Sequence, residues 1–286
     1  MFTEFFQDLA DPDFPLVRHA LIAGFLAAVP FGIVGTYVVS MRISYIAAAI
    51  AHAVLGGIGA SLFIQSRTGW SWLNPMAGAV ATALFSAFLI GWVSRHAKQR
   101  EDTVISAIWA IGMSSGLLFI AKTPGYIDPM TFLFGDILIL SPRDLWMTAI
   151  LGSGVVMTCI VFYKELLAVC YDREFAEIRG IRINVFYYLL LGMVALTVVL
   201  LVSVVGIVLA IALLTLPAAI AEFFSRKIWQ MMVGSVILCC FLTSTGLALS
   251  YPTDLPTGAV TILLTGCLYL FVSLFHAVKL RGSTRL

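Results

Sequence analysis

A chain of 286 residues with 61% hydrophobic and only 11% charged residues cannot cover a soluble fold, since ordinary soluble domains carry about 25% charged residues. A net charge of +2 with a mean hydropathy of +1.03 excludes nucleic-acid binding through a basic field and leaves a chain whose apolar surface faces lipid. The five cysteines, Cys159, Cys170, Cys239, Cys240 and Cys267, form neither a CxxC metal pair nor a disulfide framework, and all are expected to be small buried hydrophobes.

The first sixteen residues carry Glu4, Asp8, Asp11 and Asp13 and no Lys or Arg. A cleavable signal needs a basic n-region, so the first apolar run is expected to stay as a span. Runs near the roughly 20 residues a span requires lie at 17–39, 45–64, 75–94, 103–121, 144–163, 183–203, 205–221, 228–249 and 257–279. The sixth and seventh are separated only by the region of Val204, Val205 and Gly206, so the sequence predicts an all-helical bundle of about eight or nine spans. With the N-terminus outside, thirteen of the Lys and Arg residues fall in inner loops or the tail, and only Arg18, Arg67, Lys122 and Arg143 fall outside. That bias places the C-terminus in the cytoplasm. Trp70, Trp72 and Trp146 then sit at outer boundaries, where interfacial aromatic rings belong. The largest loops are 122–143 outside and 164–182 inside, too short for a soluble domain, so 1–286 reads as one membrane domain. No GxxxxGK[ST] pattern occurs, which assigns any ATP binding to another chain.

An ionisable group inside a span is a functional candidate by default, and no acidic residue occurs between Asp13 and Glu101. His52 is the ionisable side chain near the middle of an early span. Helical spacing puts Tyr45, Ala48, Leu55, Gly56 and Gly59 on its face. Imidazole among small residues suits an ion pathway, and neutral imidazole is a common transition-metal ligand. The alternative is a histidine that hydrogen-bonds a neighbouring helix, which the adjacent small-residue stripe Ala49, Ala53 and Gly57 favours. His19 and His276 fall near span ends and His96 in a basic loop, positions that read as solvated or interfacial.

The inner loop within 164–182 holds a short amphipathic helix in Tyr171-Asp172-Arg173-Glu174-Phe175-Ala176-Glu177-Ile178-Arg179-Gly180. Phe175 and Ile178 share its apolar side and Gly180 stops it. Such a helix fits a groove on a partner or rests on the membrane. Pro217 removes one helical hydrogen bond and frees the carbonyl near Leu213, so a helix break lining a pathway is expected there. Glu222 is expected at the interface beside Arg226 and Lys227. Asp136 belongs to the outer loop, to touch an external partner or cap a short helix.

Taken in order, these segments resemble the permease subunits of the ATP-binding-cassette importers for zinc, manganese and iron. The likeness runs through nearly the whole chain: Ala47-Ala48 through His52-Ala53-Val54-Leu55-Gly56-Gly57, then Glu101-Asp102-Thr103, Leu133-Phe134-Gly135-Asp136-Ile137-Leu138, Tyr163-Lys164-Glu165-Leu166, the Tyr171–Gly180 loop, Val205-Gly206, Leu216-Pro217-Ala218-Ala219 and Asp254-Leu255-Pro256-Thr257-Gly258-Ala259. The resemblance implies a type II importer permease in a bacterial inner membrane, paired with a second permease as homodimer or heterodimer. Two cytoplasmic ATPase subunits would drive it, and an extracytoplasmic metal-binding protein would deliver the cargo. It further implies that Tyr171, Asp172, Phe175, Ile178 and Gly180 dock on the ATPase, and that His52 is the pathway histidine. A divalent ion (zinc, manganese or iron) would be cargo, with no tightly bound cofactor. Two positions depart from the family pattern: Ala48 stands where an acidic residue is usual, one turn before the histidine, and Gly56 stands where proline is usual. A secondary metal transporter, or another polytopic protein not coupled to ATP, is the competing class. It usually needs an intramembrane carboxylate, which the first four spans lack. An intramembrane enzyme would need a constellation such as HExxH, which is not in the chain.

Overall fold

The computed structural model describes residues 15–70, 72–96, 101–125, 128–135, 142–171, 173–253 and 255–283. These form twelve α-helices: α1 (Pro15–Ser40), α2 (Ser44–Thr68), α3 (Pro75–His96), α4 (Glu101–Lys122), the short α5 (Pro129–Phe134), α6 (Pro142–Val161), α7 (Tyr163–Tyr171), α8 (Arg173–Ile178), α9 (Ile183–Val205), α10 (Ile207–Phe224), α11 (Ile228–Ser250) and α12 (Thr257–Ser283). Four of them open on proline, a residue whose missing N–H costs nothing in a first turn. At α3 the preceding Asn74 accepts from Ala77 N–H at 2.7 Å, and at α5 Asp128 accepts from Met130 N–H at 2.9 Å, each satisfying an orphan donor.

Eight helices are long and apolar enough to cross a membrane; α6 and α7, bent by 72° across Phe162, supply a ninth if counted together. All nine expected spans are therefore helical. The doubtful boundary lies at the fifth span rather than between the sixth and seventh. There α9 and α10 meet at Gly206, whose φ of 84° and ψ of 165° belong to a backbone region that is essentially glycine's alone. The backbone of Gly135, just after α5, packs directly against this break.

In lipid the hydrophobic effect does not drive helices together, so tight packing and small residues must hold them. α9 runs through the interior and packs on α1, α2, α3, α6 and α10. It buries Leu190, Leu191, Leu200 and Leu201 completely. α1 lies against α6, α10 and α11, while α2 is held between α3 and α4. Two buried hydroxyls donate within their own helices, Thr36 to the Gly32 carbonyl at 2.7 Å and Thr265 to the Thr261 carbonyl at 2.7 Å, so these need no partner across the bundle. The outer faces of α3, α4, α6 and α12 expose Phe85, Phe88, Ile111, Leu118, Ile150, Met157, Phe271 and Phe275, as a lipid-facing surface should.

Two sequence expectations need correction. Cys159 and Cys239 are buried, yet Cys170 and Cys240 are only partly covered and Cys267 is exposed, because α12 turns that side outward. Pro217 does not break its helix: α10 is continuous from Ile207 to Phe224 with the proline buried inside it. The freed Leu213 carbonyl accepts instead from the Cys239 thiol of α11 at 3.6 Å. A neighbouring helix thus makes good the bond the proline removes.

Candidate functional site

His52 lies in the first half of α2, half-buried, between Ala51 and Ala53, which are both buried. Four residues earlier in α2, Ala48 presents its carbonyl oxygen 2.9 Å from His52 Nδ1. A carbonyl only accepts, so Nδ1 carries a proton in this contact, which leaves Nε2 as the nitrogen through which the neutral imidazole could bind a metal ion. The ring is flanked by the indole of Trp109 on α4, with centroids 4.7 Å apart and planes tilted by 43°. Trp109 went unnoticed in the sequence because nothing there links positions 57 residues apart.

Close packing of α2 on α4 holds the histidine and the indole together. A Cβ on Gly59 would stand 2.5 Å from the Gly116 carbonyl oxygen, and one on Gly112 would stand 2.5 Å from Ala53 Cα. Only hydrogen fits at these points, which explains Gly112-x-x-x-Gly116, a small-xxx-small pattern legible in the sequence. The stripe beside His52 packs as expected, since Gly57 lies against the Gly78 backbone of α3. The pathway and packing readings of His52 thus share a structure: Gly56 and Gly59 of its face carry the helix contact, while Tyr45, Ala48 and His52 remain partly open.

Beyond this seam α4 is mostly uncovered, with 17% of its apolar window buried. Its open side includes Thr103, Ser106, Ala107, Ala110 and Ser114 beside Trp109, small and hydroxyl-bearing residues that suit another helix better than acyl chains. Among the described residues no three His, Cys, Asp or Glu side chains converge. His96 stacks on Trp92 at 5.2 Å and His276 lies 5.1 Å from Phe223, so neither joins His52.

At the other predicted site, α8 covers Arg173–Ile178, and the Gly180 N–H donates to the Glu177 carbonyl at 2.9 Å. Gly180 takes a φ of 74°, the left-handed stop its sequence position predicts. Ala176 is fully buried against the bundle, whereas Ile178 is 85% and Tyr171 71% exposed. Asp136 and Asp172 lie outside the described residues, as does the side chain of Phe175.

A bundle with eight helices long and apolar enough to cross a membrane is the frame of a polytopic membrane protein. Residues 13–276 match the ABC 3 transport family, and the chain belongs to it. Similar proteins include the "Probable metal transport system membrane protein" of Chlamydia muridarum, 39% identical over 89% of this chain and 87% of that one. The manganese import system permease protein ScaB of Streptococcus parasanguinis is 29% identical over 98% and 97% of the two chains. Among solved structures, PsaBC from Streptococcus pneumoniae in complex with Fab superposes with a TM-score of 0.85 at 26% identity, covering 95% of each chain.

Proposed function

We propose that this permease carries a divalent transition metal into a bacterial cell, driven by cytoplasmic ATPase subunits and supplied by an extracytoplasmic metal-binding protein. The supporting observation is the family match over residues 13–276 in a chain without a nucleotide-binding motif. Relatives named for manganese import or metal transport support the same cargo class. One imidazole nitrogen cannot replace an ion's hydration shell, because transition-metal sites take several ligands. Among the described residues no set of three ligand side chains converges, and the open α4 face beside His52 and Trp109 suits a second permease copy that would supply further donors. With Ala48 in place of a carboxylate, the turn offers nitrogen alone, which favours zinc over manganese. Exposed Tyr171 and Ile178, with Phe175, Asp172 and Gly180, form the ATPase contact. Pro217 and Asp136 keep their proposed places, on the pathway wall and in the outer loop respectively.

The test is uptake by cells expressing the complete complex, with zinc, manganese and iron compared. His52→Ala should reduce accumulation to background while the amount of complex in the membrane stays constant, and Ala48→Asp should shift preference toward manganese. Uptake that persists without the ATPase would move the protein to the secondary-transporter class, and normal uptake by His52→Ala would leave the histidine a packing residue. Orientation is tested in intact cells. A cysteine placed at Ser71 should react with an impermeant maleimide and one at Gln99 should not; the reverse pattern would invert the topology.

A further inference from the structure

A second polar feature lies far from His52, where the ends of α1 and α7 meet the turn from α10 into α11. A cavity of about 230 Å³ opens there, lined by Ser40, Tyr171, Glu222, Ser225, Arg226 and Lys227 and floored by the first turn of α11. The turn is built to present its cations. Ser225 (φ −105°, ψ 141°) is extended, as is Lys227 (φ −137°, ψ 148°), and the Arg226 N–H donates to Gln230 Oε1 at 3.1 Å. Extended backbone splays Arg226 and Lys227 instead of stacking them on a helix face. Both are exposed, and among the described residues no ion pair joins either to Glu222. Ser40 Oγ makes only a long contact to Met231 Sδ at 3.9 Å, so its hydroxyl remains available. Two cations against one carboxylate leave the cavity net positive. At 230 Å³ it is smaller than the roughly 300 Å³ at which small-molecule pockets begin, but it has room for a phosphate and its ester linkage.

We infer that this cavity binds the phosphodiester headgroup of an anionic phospholipid. The alternative occupant of a positive groove is an acidic segment of a partner protein, and the aromatic neighbours decide between them. Phe224, 73% exposed, and Trp229, 53% exposed, flank the Ser225-Arg226-Lys227 turn and offer uncovered rings to the depth at which acyl chains begin. Cations between interfacial aromatic residues at the end of two spans have the chemistry of a lipid headgroup site. The inference needs only that the chain sits in a bilayer, so it stands apart from the cargo, and of the lining residues only Tyr171 is shared with the proposed ATPase contact.

The experiment uses the purified full-length complex, exchanged into nanodiscs of phosphatidylcholine with or without phosphatidylglycerol, and counts retained lipids by native mass spectrometry. The wild type should retain phosphatidylglycerol over phosphatidylcholine. The Arg226→Gln/Lys227→Gln double variant should bind it roughly thirtyfold more weakly, about five- to sixfold per surface cation. Glu222→Gln should strengthen retention, and Arg95→Gln, which removes one cation elsewhere, should change nothing. The wild-type preference needs no variant to fold, so a wild type without preference overturns the proposal at once. Equal retention by the double variant overturns it too, as does loss of ATPase association with retention intact, which would make the cavity a protein-docking surface. If inorganic phosphate at millimolar concentration displaces phosphatidylglycerol fully, the site recognises free phosphate and the lipid assignment fails.

Discussion

Along the α2–α4 seam the glycines bring two backbones into contact, whereas along both flanks of α6 they leave space. A Cβ on Gly59 would meet the Gly116 carbonyl oxygen at 2.5 Å, yet one on Gly154 of α6 or Gly192 of α9 meets no atom within 4 Å. A groove of about 480 Å³ runs between α1 and α6, lined by Phe25, Val29 and Gly152 among others. Another of about 450 Å³ runs between α6 and α9, past Gly154 and Thr158. The same residue type thus serves opposite ends, depending on what faces it. Without a hydrophobic drive between helices in lipid, association strength tracks close packing. The seam that carries His52 is therefore closely packed, and the margin around α6 is the part of the bundle that lipid can fill.

The contrast can be broken most severely at the seam. Gly59→Leu or Gly116→Leu should cost more than about 3 kcal/mol, above the usual overpacking range of roughly 1–3 kcal/mol, because the obstacle is backbone and cannot change rotamer. Gly154→Leu, with open space around it, should fall within about 1 kcal/mol of wild type and gain from replacing a helical glycine. Thermal unfolding of the purified chain in detergent, with recovery of monodisperse protein, compares the three. Equal damage from Gly154→Leu and Gly116→Leu would remove the distinction between seam and margin.

Next in size is a change at a surface the chain leaves uncovered. Ile178 is 85% exposed beside fully buried Ala176, so α8 is anchored on one side and open on the other. An apolar anchor lost from an interface costs about 2 kcal/mol or more. Ile178→Asp should weaken ATPase association by at least about thirtyfold and uncouple hydrolysis from uptake, with the folded permease at wild-type yield. Association and coupling at wild-type levels in a co-purification assay would return α8 to a helix that rests on the bilayer.

Much of this architecture is written locally in the chain. Nine apolar runs, the stop at Gly180 and the carbonyl freed at Leu213 follow from length, turn chemistry and the missing proline N–H. Others depend on what arrives from elsewhere. The bend across Phe162 has neither proline nor glycine at the break, and helical hydrogen bonds persist on both sides, from Phe162 N–H to Thr158 at 3.0 Å and from Leu166 N–H to Phe162 at 2.9 Å. The packing of α6 and α7 on α1 and α9 sets that bend, and no window of sequence contains it. Trp109 reaches His52 because Gly112 and Gly116 admit α2. The Gly-x-x-x-Gly spacing announces close packing, but it does not name the partner helix. The continuity of α10 through Pro217 was likewise beyond reach, since the compensating donor lies on the next helix.

That compensating donor supplies the finest test of how helices here repair one another. Pro217 leaves the Leu213 carbonyl without its helical partner, and Cys239 Sγ stands 3.6 Å from that oxygen. A thiol is a weak donor, so Cys239→Ala should destabilise by about 1 kcal/mol, within the range of roughly 0.5–1.5 kcal/mol for one hydrogen bond. Part of that loss is the small void left by the sulfur, which would also arise if the thiol merely filled space. The double-mutant cycle separates the two. In a Pro217→Ala background the new N–H at position 217 reaches the Leu213 carbonyl from within α10, and the thiol becomes redundant as a donor. The cost of Cys239→Ala should then shrink to its packing part alone, leaving a coupling energy of about 0.5–1 kcal/mol between positions 217 and 239. Reversible unfolding of the four variants in mixed micelles measures it. If Cys239→Ala costs the same in both backgrounds, the α10–α11 contact is one of shape and the proline's lost bond is made good by something other than the thiol.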